Sequence, residues 1–208
     1  MSFAKLCEMY GSDKYQGHRY DALYERILAP YRCLPRPVRL LEIGIAKGAS
    51  LRVWMNYFKP LAFVRPNIPS IFAVDISPES VAAAPSGVTT FCGDQGDPVF
   101  LDKVVQESGG QFDIVIDDGA HSMWGQCVSF DKLWPEVLPG GVYVIEDMES
   151  SMRRAAQREA KAKGIQVTLA AVFAQIRSQM KRKAPRPPRP LYTFCGEAVA
   201  IEKPYEST

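Results

Sequence analysis

The sequence predicts an α/β fold, with an open, mostly parallel sheet of seven strands that ends in an antiparallel hairpin. Short apolar, β-branched runs alternate with helical segments, an order typical of parallel sheets joined by crossover helices. Several of these runs end in glycine or in acids, at the edge where open α/β sheets bind ligands. The last two runs flank a Gly-Glu pair, which predicts the hairpin. The predicted strands are 38–44, 70–75, 88–91, 112–116, 140–145, 192–195 and 198–201.

Length and composition are those of a single globular domain. The chain has 208 residues, of which 47% are hydrophobic and 23% charged, values ordinary for a globular protein. Its five cysteines are odd in number and show no C-x-x-C spacing, which argues against a disulfide framework or a structural zinc site and favours a reducing cytoplasm. We expect no signal peptide and no membrane span, because no apolar stretch is long enough for either.

The positive charge is concentrated in one segment. Residues 151–190 hold eleven Lys and Arg against one acid, Glu159, so with a net charge of +2 the remainder carries −8. We expect one domain over 1–208, with a helical cap over 1–35 and a basic helical insertion with a Pro-rich linker over 151–190. The basic segment is either a solvated helix face or a surface for an anionic partner such as nucleic acid.

The first strand runs into a glycine loop and a helix, the opening unit of a nucleotide-binding fold. The loop reads E-x-G-x-x-x-G, with Glu42, Gly44 and Gly48, and the helix begins at Ser50. A dinucleotide fingerprint is G-x-G-x-x-G, and the loop lacks the middle glycine that admits a pyrophosphate. It suits instead the smaller carboxylate and amine ends of S-adenosylmethionine, near the bare amides of a helix N-terminus.

Two further strands end next to polar groups. Asp75 closes the second strand, where a carboxylate either binds a ribose diol or caps the following helix. Asp94 and Gln95 follow the third strand, where an acid and an amide can bind an adenine edge. A helix then opens at Asp97-Pro98 and extends through Gln106.

The central strand is followed by the densest group of reactive side chains. Asp117, Asp118 and His121 follow residues 112–116, and Glu146-Asp147 follow the neighbouring strand 140–145. Four carboxylates and an imidazole therefore converge on one edge of the sheet. One acid of the Asp117-Asp118 pair either caps the next helix, predicted from 126 to 138, or touches the methyl donor.

The remaining segments carry less specific patterns. We predict a helix over 19–29, a proline-bearing loop over 59–69 and a surface linker over 184–190, where four prolines exclude a helix. An apolar stripe over 165–180 predicts core or a subunit interface, and we expect a homodimer. His18 lies in a tyrosine-rich segment and is either a packing residue or a rival base.

Six motifs, in order along the chain, resemble the metal-dependent, S-adenosylmethionine-dependent sugar O-methyltransferases. That family includes enzymes that methylate macrolide deoxysugars and mycobacterial methylmannosides. The matching pieces are G-S-D-K-Y at 11–15, L-L-E-I-G at 40–44, G-A-S-L at 48–51, G-D-Q-G-D-P at 93–98, D-D-G-A-H at 117–121 and G-G-V-Y-V-I-E-D at 140–147.

The resemblance implies a Rossmann-like class I methyltransferase with S-adenosylmethionine and Mg²⁺ as cofactors. The metal-binding carboxylates fall at Asp118, Glu146 and Asp147, and the general base falls at His121. Two features depart from the family: Ala120 replaces a serine found in many relatives, and little room is left for extra acceptor-binding structure. The methyl donor's contacts fall at Glu42, Gly44, Gly48, Ser50, Asp75, Asp94, Gln95 and Asp117.

The chemistry fits these residue types. Methyl transfer from a sulfonium requires oxygen, methyl and sulfur in line, hard oxygen ligands suit Mg²⁺, and an imidazole can remove the hydroxyl proton. We expect a sugar or oligosaccharide acceptor, such as a methylated mannoside or a glycosylated natural product. The alternatives are a nucleic-acid methyltransferase using 151–190 and a non-catalytic module that binds the donor. We do not expect nucleic acid, because no base-methylating N-P-P-Y-like motif or aromatic and basic interleaving is present.

Overall fold

A computed structural model describes residues 1–59, 68–148, 158, 161–162, 191–195 and 197–205. Its strands are β1 (Arg39–Ile43), β2 (Ser70–Asp75), β3 (Val88–Cys92), β4 (Phe112–Asp117), β5 (Val137–Ile145), β6 (Leu191–Cys195) and β7 (Ala198–Glu202). They form one seven-stranded sheet in the order β3-β2-β1-β4-β5-β7-β6. β1 to β5 are parallel, and β7 pairs antiparallel with both β5 and β6. The predicted mostly parallel sheet with a closing hairpin is confirmed.

Helices cover both faces of the sheet. They are α1 (Phe3–Tyr10), α2 (Asp13–Gln16), α3 (Asp21–Leu28), a 3₁₀ helix (Ala29–Cys33), α4 (Ala49–Tyr57), α5 (Pro78–Ala83), α6 (Pro98–Ser108) and α7 (Met123–Leu133). One buried cluster joins α1, α3 and α4 to one face, around Phe3, Tyr24 and Trp54. A second cluster joins α6 and α7 to the other face, around Leu101 and Phe130. β4 is buried along its whole length because both layers cover it.

The parallel register determines which side chains meet at the sheet's carboxyl edge. Ile43 pairs with both Val74 and Asp117, and Asp117 pairs with Ile145. These four residues are at one level, so the residues that follow them emerge together. The fold thus places the glycine loop and the ends of β2, β4 and β5 at one edge.

The predicted helix over 126–138 differs from the structure at both ends. The helix is Met123–Leu133, and β5 begins at Val137 instead of Gly140. Pro135 explains the early end, because proline has no amide hydrogen and its ring clashes with a preceding helical turn. The apolar stripe over 165–180, the linker over 184–190 and most of the loop over 59–69 lie outside the described residues.

Two of the composition-based expectations can be compared with the structure. None of the five cysteines is in a disulfide. Within the described part of the chain, no helix is both long and apolar enough to cross a membrane.

Candidate active site

A cavity of about 570 Å³ opens at the carboxyl edge of the sheet. Its walls are the glycine loop after β1, the end of β2, the Asp94-Gln95 turn and the loop between β4 and α7. The N-terminal segment Gly11–Lys14 forms a further wall. The cavity volume is within the range of about 300–1,000 Å³ that is typical of small-molecule sites.

The glycine loop requires glycine for two different reasons. Gly44 has φ of +96°, and a Cβ there would lie 2.1 Å from the backbone oxygen of Asp118, so no side chain fits between β1 and the end of β4. Gly48 is the left-handed N-cap residue of α4, at φ +69°. Together they hold the loop close against the end of β4, which leaves the cavity open above it.

Glu42 and Ser50 bind each other below the loop. The Ser50 hydroxyl donates to Glu42 Oε2 at 2.9 Å, and Glu42 is fully buried. Burial raises the pKa of Glu42 to about 7, although the nearby Lys14 ammonium acts in the opposite direction. Ser50 lines the cavity, whereas Glu42 supports the loop from beneath, so any effect of Glu42 on a bound methyl donor is indirect.

Asp75 fastens the glycine loop to the end of β2. Its Oδ2 accepts from the amides of Ile45 at 2.8 Å and Ala46 at 3.2 Å, and its Oδ1 accepts from the amide of Ser77 at 2.8 Å. The carboxylate lines the cavity. Asp75 therefore organises the glycine loop and the turn before α5 and borders the cavity, but the N-cap of α5 is Ser77 and not Asp75.

Asp94 and Gln95 are in the predicted turn, where Asp94 is exposed and Gln95 is buried. Asp94 Oδ1 accepts from the amide of Gly96 at 2.7 Å. Gln95 is buried; its Nε2 donates to Asp117 Oδ1 at 3.0 Å and its Oε1 accepts from the amide of Ala120 at 2.6 Å. Both ends of the Gln95 amide are therefore bound within the protein, and its side chain anchors the loop after β4 instead of pointing a polar group at an adenine.

Asp117 belongs to the same internal network. It is fully buried, and accepts hydrogen bonds from Gln95 and from the hydroxyl of Ser129 on α7. Burial raises its pKa even though these hydrogen bonds act in the opposite direction. Of the two adjacent acids, Asp117 is the one that fixes the following loop and helix, which leaves Asp118 at the cavity.

Asp118, His121 and Asp147 converge as a candidate reactive centre, and the first two line the cavity. His121 Nε2 lies 3.9 Å from Asp118 Oδ1 and 3.7 Å from Asp147 Oδ2. One possible ligand atom from each of the three residues lies within 4.8 Å of the others. His121 and Asp147 also have left-handed backbones, at φ +46° and +51°. Such conformations cost on the order of 1–3 kcal/mol and cluster at functional sites.

Glu146, the third predicted metal ligand, is joined to Asp118 through Lys14, which binds both carboxylates. It is buried and its carboxylate is bound by Lys14 Nζ at 2.7 Å and by the hydroxyl of Tyr24. Burial raises the pKa of Glu146 above its ordinary value, with Lys14 acting in the opposite direction. The structure therefore brings two of the three predicted carboxylates together and makes Glu146 a partner of Lys14.

Lys14 is a functional residue to which the sequence analysis assigned no role. Its ammonium is 1% exposed and lies 2.6 Å from Asp118 Oδ2, 2.7 Å from Glu146 Oε1 and 3.8 Å from Glu42 Oε1. Burial alone lowers the pKa of Lys14, but these charges outweigh it and hold the pKa above its ordinary value. One cation thus contacts the acids of three neighbouring strands, β1, β4 and β5.

Tyr20 and His18 contact Asp147 from the same N-terminal segment. The Tyr20 hydroxyl donates to Asp147 Oδ1 at 2.9 Å, and His18 Nδ1 lies 3.3 Å from that oxygen. The two rings stack with centroids 5.2 Å apart. The G-S-D-K-Y motif is the sequence signal for this segment, but the motif does not indicate which acids its lysine and the aromatic residues after it contact.

Comparison with known proteins agrees with this geometry. The fold, the glycine loop and the strand-end acids define a Rossmann-like α/β protein of the methyltransferase class. A family described as "Methyltransferase domain" matches residues 41–148, from the glycine-loop strand to the residue after Asp147. The chain belongs to this methyltransferase domain family.

Two curated relatives match along much of the chain. It is 38% identical over 155 residues to the 8-demethyl-8-alpha-L-rhamnosyl tetracenomycin-C 2'-O-methyltransferase of Streptomyces olivaceus, covering 71% of this chain and 38% of that protein. It is 39% identical over 138 residues to the mycinamicin VI 2''-O-methyltransferase of Micromonospora griseorubida, covering 63% of this chain and 32% of that protein. The match thus spans about a third of the length of these relatives.

A solved structure extends the likeness to the N-terminal segment. The MycE methyltransferase from the mycinamycin biosynthetic pathway, in complex with Mg and SAH, superposes with a TM-score of 0.78 at 29% identity. The match covers 99% of this chain and 55% of that chain. The helical segment before β1 is therefore included in the shared fold, although the family match begins only at residue 41.

Proposed function

We propose that this chain is a Mg²⁺-dependent O-methyltransferase unit that transfers a methyl group from S-adenosylmethionine to a sugar hydroxyl. The observation that carries the proposal is the single cavity that extends from the glycine loop to Asp118 and His121. A methyl donor seated on the loop and an acceptor beside the acids would share one cavity, as an in-line displacement requires.

The proposed contacts of the methyl donor are the groups that border the cavity. The loop around Gly44 would hold the amino-acid end, with Ser50 nearby, and Asp75 the ribose. Asp94 borders the far side. Glu42, Gly48, Gln95 and Asp117 act beneath them by fixing the loops, as their burial and hydrogen bonds indicate.

Asp118 and Asp147 are the carboxylates that would hold the metal ion. Their oxygens are hard ligands of the kind Mg²⁺ prefers, and they converge with His121 within 4.8 Å. Mg²⁺ held there would supply Lewis-acid chemistry, which lowers the pKa of an acceptor hydroxyl and orients it. Glu146, bound by Lys14 and Tyr24, contributes to this centre through Lys14.

His121 is the proposed general base. Its Nε2 faces both metal-centre carboxylates, which hold the ring at the end of the cavity where the acceptor hydroxyl would enter. The imidazole would accept the hydroxyl proton as the oxygen attacks the methyl group and the sulfonium leaves as a neutral thioether.

The acceptor class rests on the relatives. The matched proteins are named for methylation of rhamnosyl tetracenomycin and of mycinamicin, which supports a sugar hydroxyl on a glycosylated natural product. A methylated mannoside in polysaccharide biosynthesis is the second acceptor to test. We also propose a homodimer, from the apolar pattern at 165–180, and a cytoplasmic location, from the five unpaired cysteines.

The proposal is tested by calorimetric titration with S-adenosylhomocysteine, with and without Mg²⁺, followed by a methyl-transfer assay on a panel of rhamnosides and mannosides. We expect binding, and transfer that excess EDTA abolishes. Full activity in EDTA would remove the metal from the proposal. Binding without transfer to any glycoside would favour the non-catalytic module, and steeply salt-dependent RNA binding would favour a nucleic-acid acceptor.

A further inference from the structure

The two carboxylates of the proposed metal centre are held in matching ways. In Asp118, Oδ2 is bound by Lys14 at 2.6 Å, and Oδ1 faces His121 at 3.9 Å. In Asp147, Oδ1 is bound by Tyr20 at 2.9 Å, and Oδ2 faces His121 at 3.7 Å. In each acid, one oxygen is held by the N-terminal segment and the other is directed toward the reactive centre.

The groups that hold these oxygens all come from one stretch of chain. Lys14 lies in α2, Tyr20 precedes α3, and His18 lies between them. Lys14 and Tyr20 are each 1% exposed, so their contacts are protected from water and hold a fixed geometry. This stretch lies before residue 41, where the family match begins, although it is part of the fold shared with the MycE structure.

We propose that the segment 14–20 is a positioning element for the metal centre, in which Tyr20 is a positioning residue for Asp147. The inference rests on the proposed function, because it assumes that Asp118 and Asp147 hold a divalent ion. Hydrogen-bond partners behind a metal ligand orient it, and their loss typically reduces metal affinity by about 10–100-fold. Tyr20 stacks on His18 and donates to Asp147, so its hydroxyl holds the carboxylate in the rotamer that the centre uses.

The chain offers a matched control for Tyr20. Tyr31 is also buried, belongs to the same N-terminal layer, and donates to the backbone oxygen of Gly140 at 2.8 Å. Both tyrosines therefore donate a hydrogen bond at β5. Tyr31 contacts Gly140 within the strand, and Tyr20 contacts Asp147 just after the strand ends. Tyr20→Phe and Tyr31→Phe remove the same atom from similar surroundings, and only the first removes it from the metal centre.

The experiment measures Mn²⁺ affinity by electron paramagnetic resonance on the full chain saturated with S-adenosylhomocysteine. We expect Tyr20→Phe to weaken Mn²⁺ binding by about tenfold or more, and Tyr31→Phe to leave it unchanged. Thermal melts of both variants are expected to shift by similar amounts. His18→Gln, at a position 35% exposed, is a second variant that leaves the core intact and should weaken Mn²⁺ binding in the same direction.

The possible results distinguish a failure of the positioning role from a failure of the proposed function. Wild-type Mn²⁺ affinity in Tyr20→Phe and His18→Gln, or equal losses in Tyr20→Phe and Tyr31→Phe, would overturn the positioning role. A wild-type protein that binds S-adenosylhomocysteine but no Mn²⁺ would instead overturn the metal centre itself.

Discussion

Six acids at the strand ends divide into two groups that a sequence cannot tell apart. Glu42, Asp117 and Glu146 are at most 2% exposed, and each has hydrogen-bond partners inside the protein. The others, Asp75, Asp118 and Asp147, are partly exposed and border the ligand space or the reactive centre. Two of these contrasts are between adjacent residues, Asp117-Asp118 and Glu146-Asp147. In each pair the buried acid fixes the backbone, and the exposed acid is presented to ligands.

The largest expected effect concerns His121, which lies beside the partly exposed acids. His121→Ala should reduce turnover by about 10²–10⁴-fold, the contribution typical of a positioned base, because it removes the proposed proton acceptor. The affinity for S-adenosylhomocysteine, measured by calorimetry, should stay unchanged. Wild-type turnover in this variant would show that another group removes the proton.

Glu146 and Asp147 are adjacent but belong to different groups of acids. Replacing each in turn therefore tests whether the buried and exposed acids have different roles. Asp147→Asn should reduce Mn²⁺ affinity by more than the 10–100-fold typical of an outer partner, with little change in stability. Glu146→Gln should instead lower the free energy of unfolding by about 1–3 kcal/mol, because it weakens the buried contacts with Lys14 and Tyr24. Urea denaturation and Mn²⁺ titration of both variants measure the contrast. If Glu146→Gln abolished Mn²⁺ binding at wild-type stability, Glu146 would belong with the ligands.

The raised pKa of Glu42 predicts how the stability of the protein depends on pH. Its carboxyl ionises near pH 4.5 in the unfolded chain and near pH 7 in the folded protein, so the folded state binds more protons between these values. The free energy of unfolding should therefore fall as pH rises through this window, by on the order of 3 kcal/mol from this group. Denaturation at pH 5 and pH 8 should show a smaller difference for Glu42→Gln than for wild type. Glu107→Gln, an exposed change on α6, is the control; an unaltered pH difference in Glu42→Gln would contradict the assignment.

The smallest expected effect concerns Gln95, whose amide joins Asp117 to the loop at Ala120. Gln95→Leu should cost about 1–3 kcal/mol of stability, since it leaves buried polar groups without that partner. The affinity for S-adenosylhomocysteine, measured well below the melting temperature, should change little. A strong loss of affinity at normal stability would instead restore the predicted adenine contact.

The sheet could be predicted from the sequence because its signals are local. Apolar runs such as 112–116 end in turn residues, and the parallel order follows from the alternation with helices. The error at 126–138 was also local, because the pattern continued through Trp134 and Pro135 although proline ends the helix. The helix α1 lies within the helical cap expected over 1–35, but its bounds could not be predicted, since eight residues give little periodicity.

The arrangement of the site was harder to predict, because it depends on contacts between distant residues. Lys14 binds acids 104 and 132 positions away, and nothing in its own neighbourhood distinguishes a buried lysine from a surface one. The burial of Glu146 and of Gln95 has the same origin, since it depends on which partner the tertiary fold brings near. Residue types at strand ends indicated where the site is, and burial determined what each acid does there.

The hairpin offers a practical route for protein engineering. Because β7 runs antiparallel to β5, the connection from β6 to β7 arrives beside the catalytic edge, where the amide of Met148 donates to the backbone oxygen of Glu197 at 3.0 Å. One possible ligand atom from each of Glu197, His18 and Asp147 lies within 4.8 Å of the others. Strand pairing maintains the register on both sides of this connection. A library that varies Glu197 could therefore change the surroundings of Asp147 while leaving the framework of parallel strands untouched.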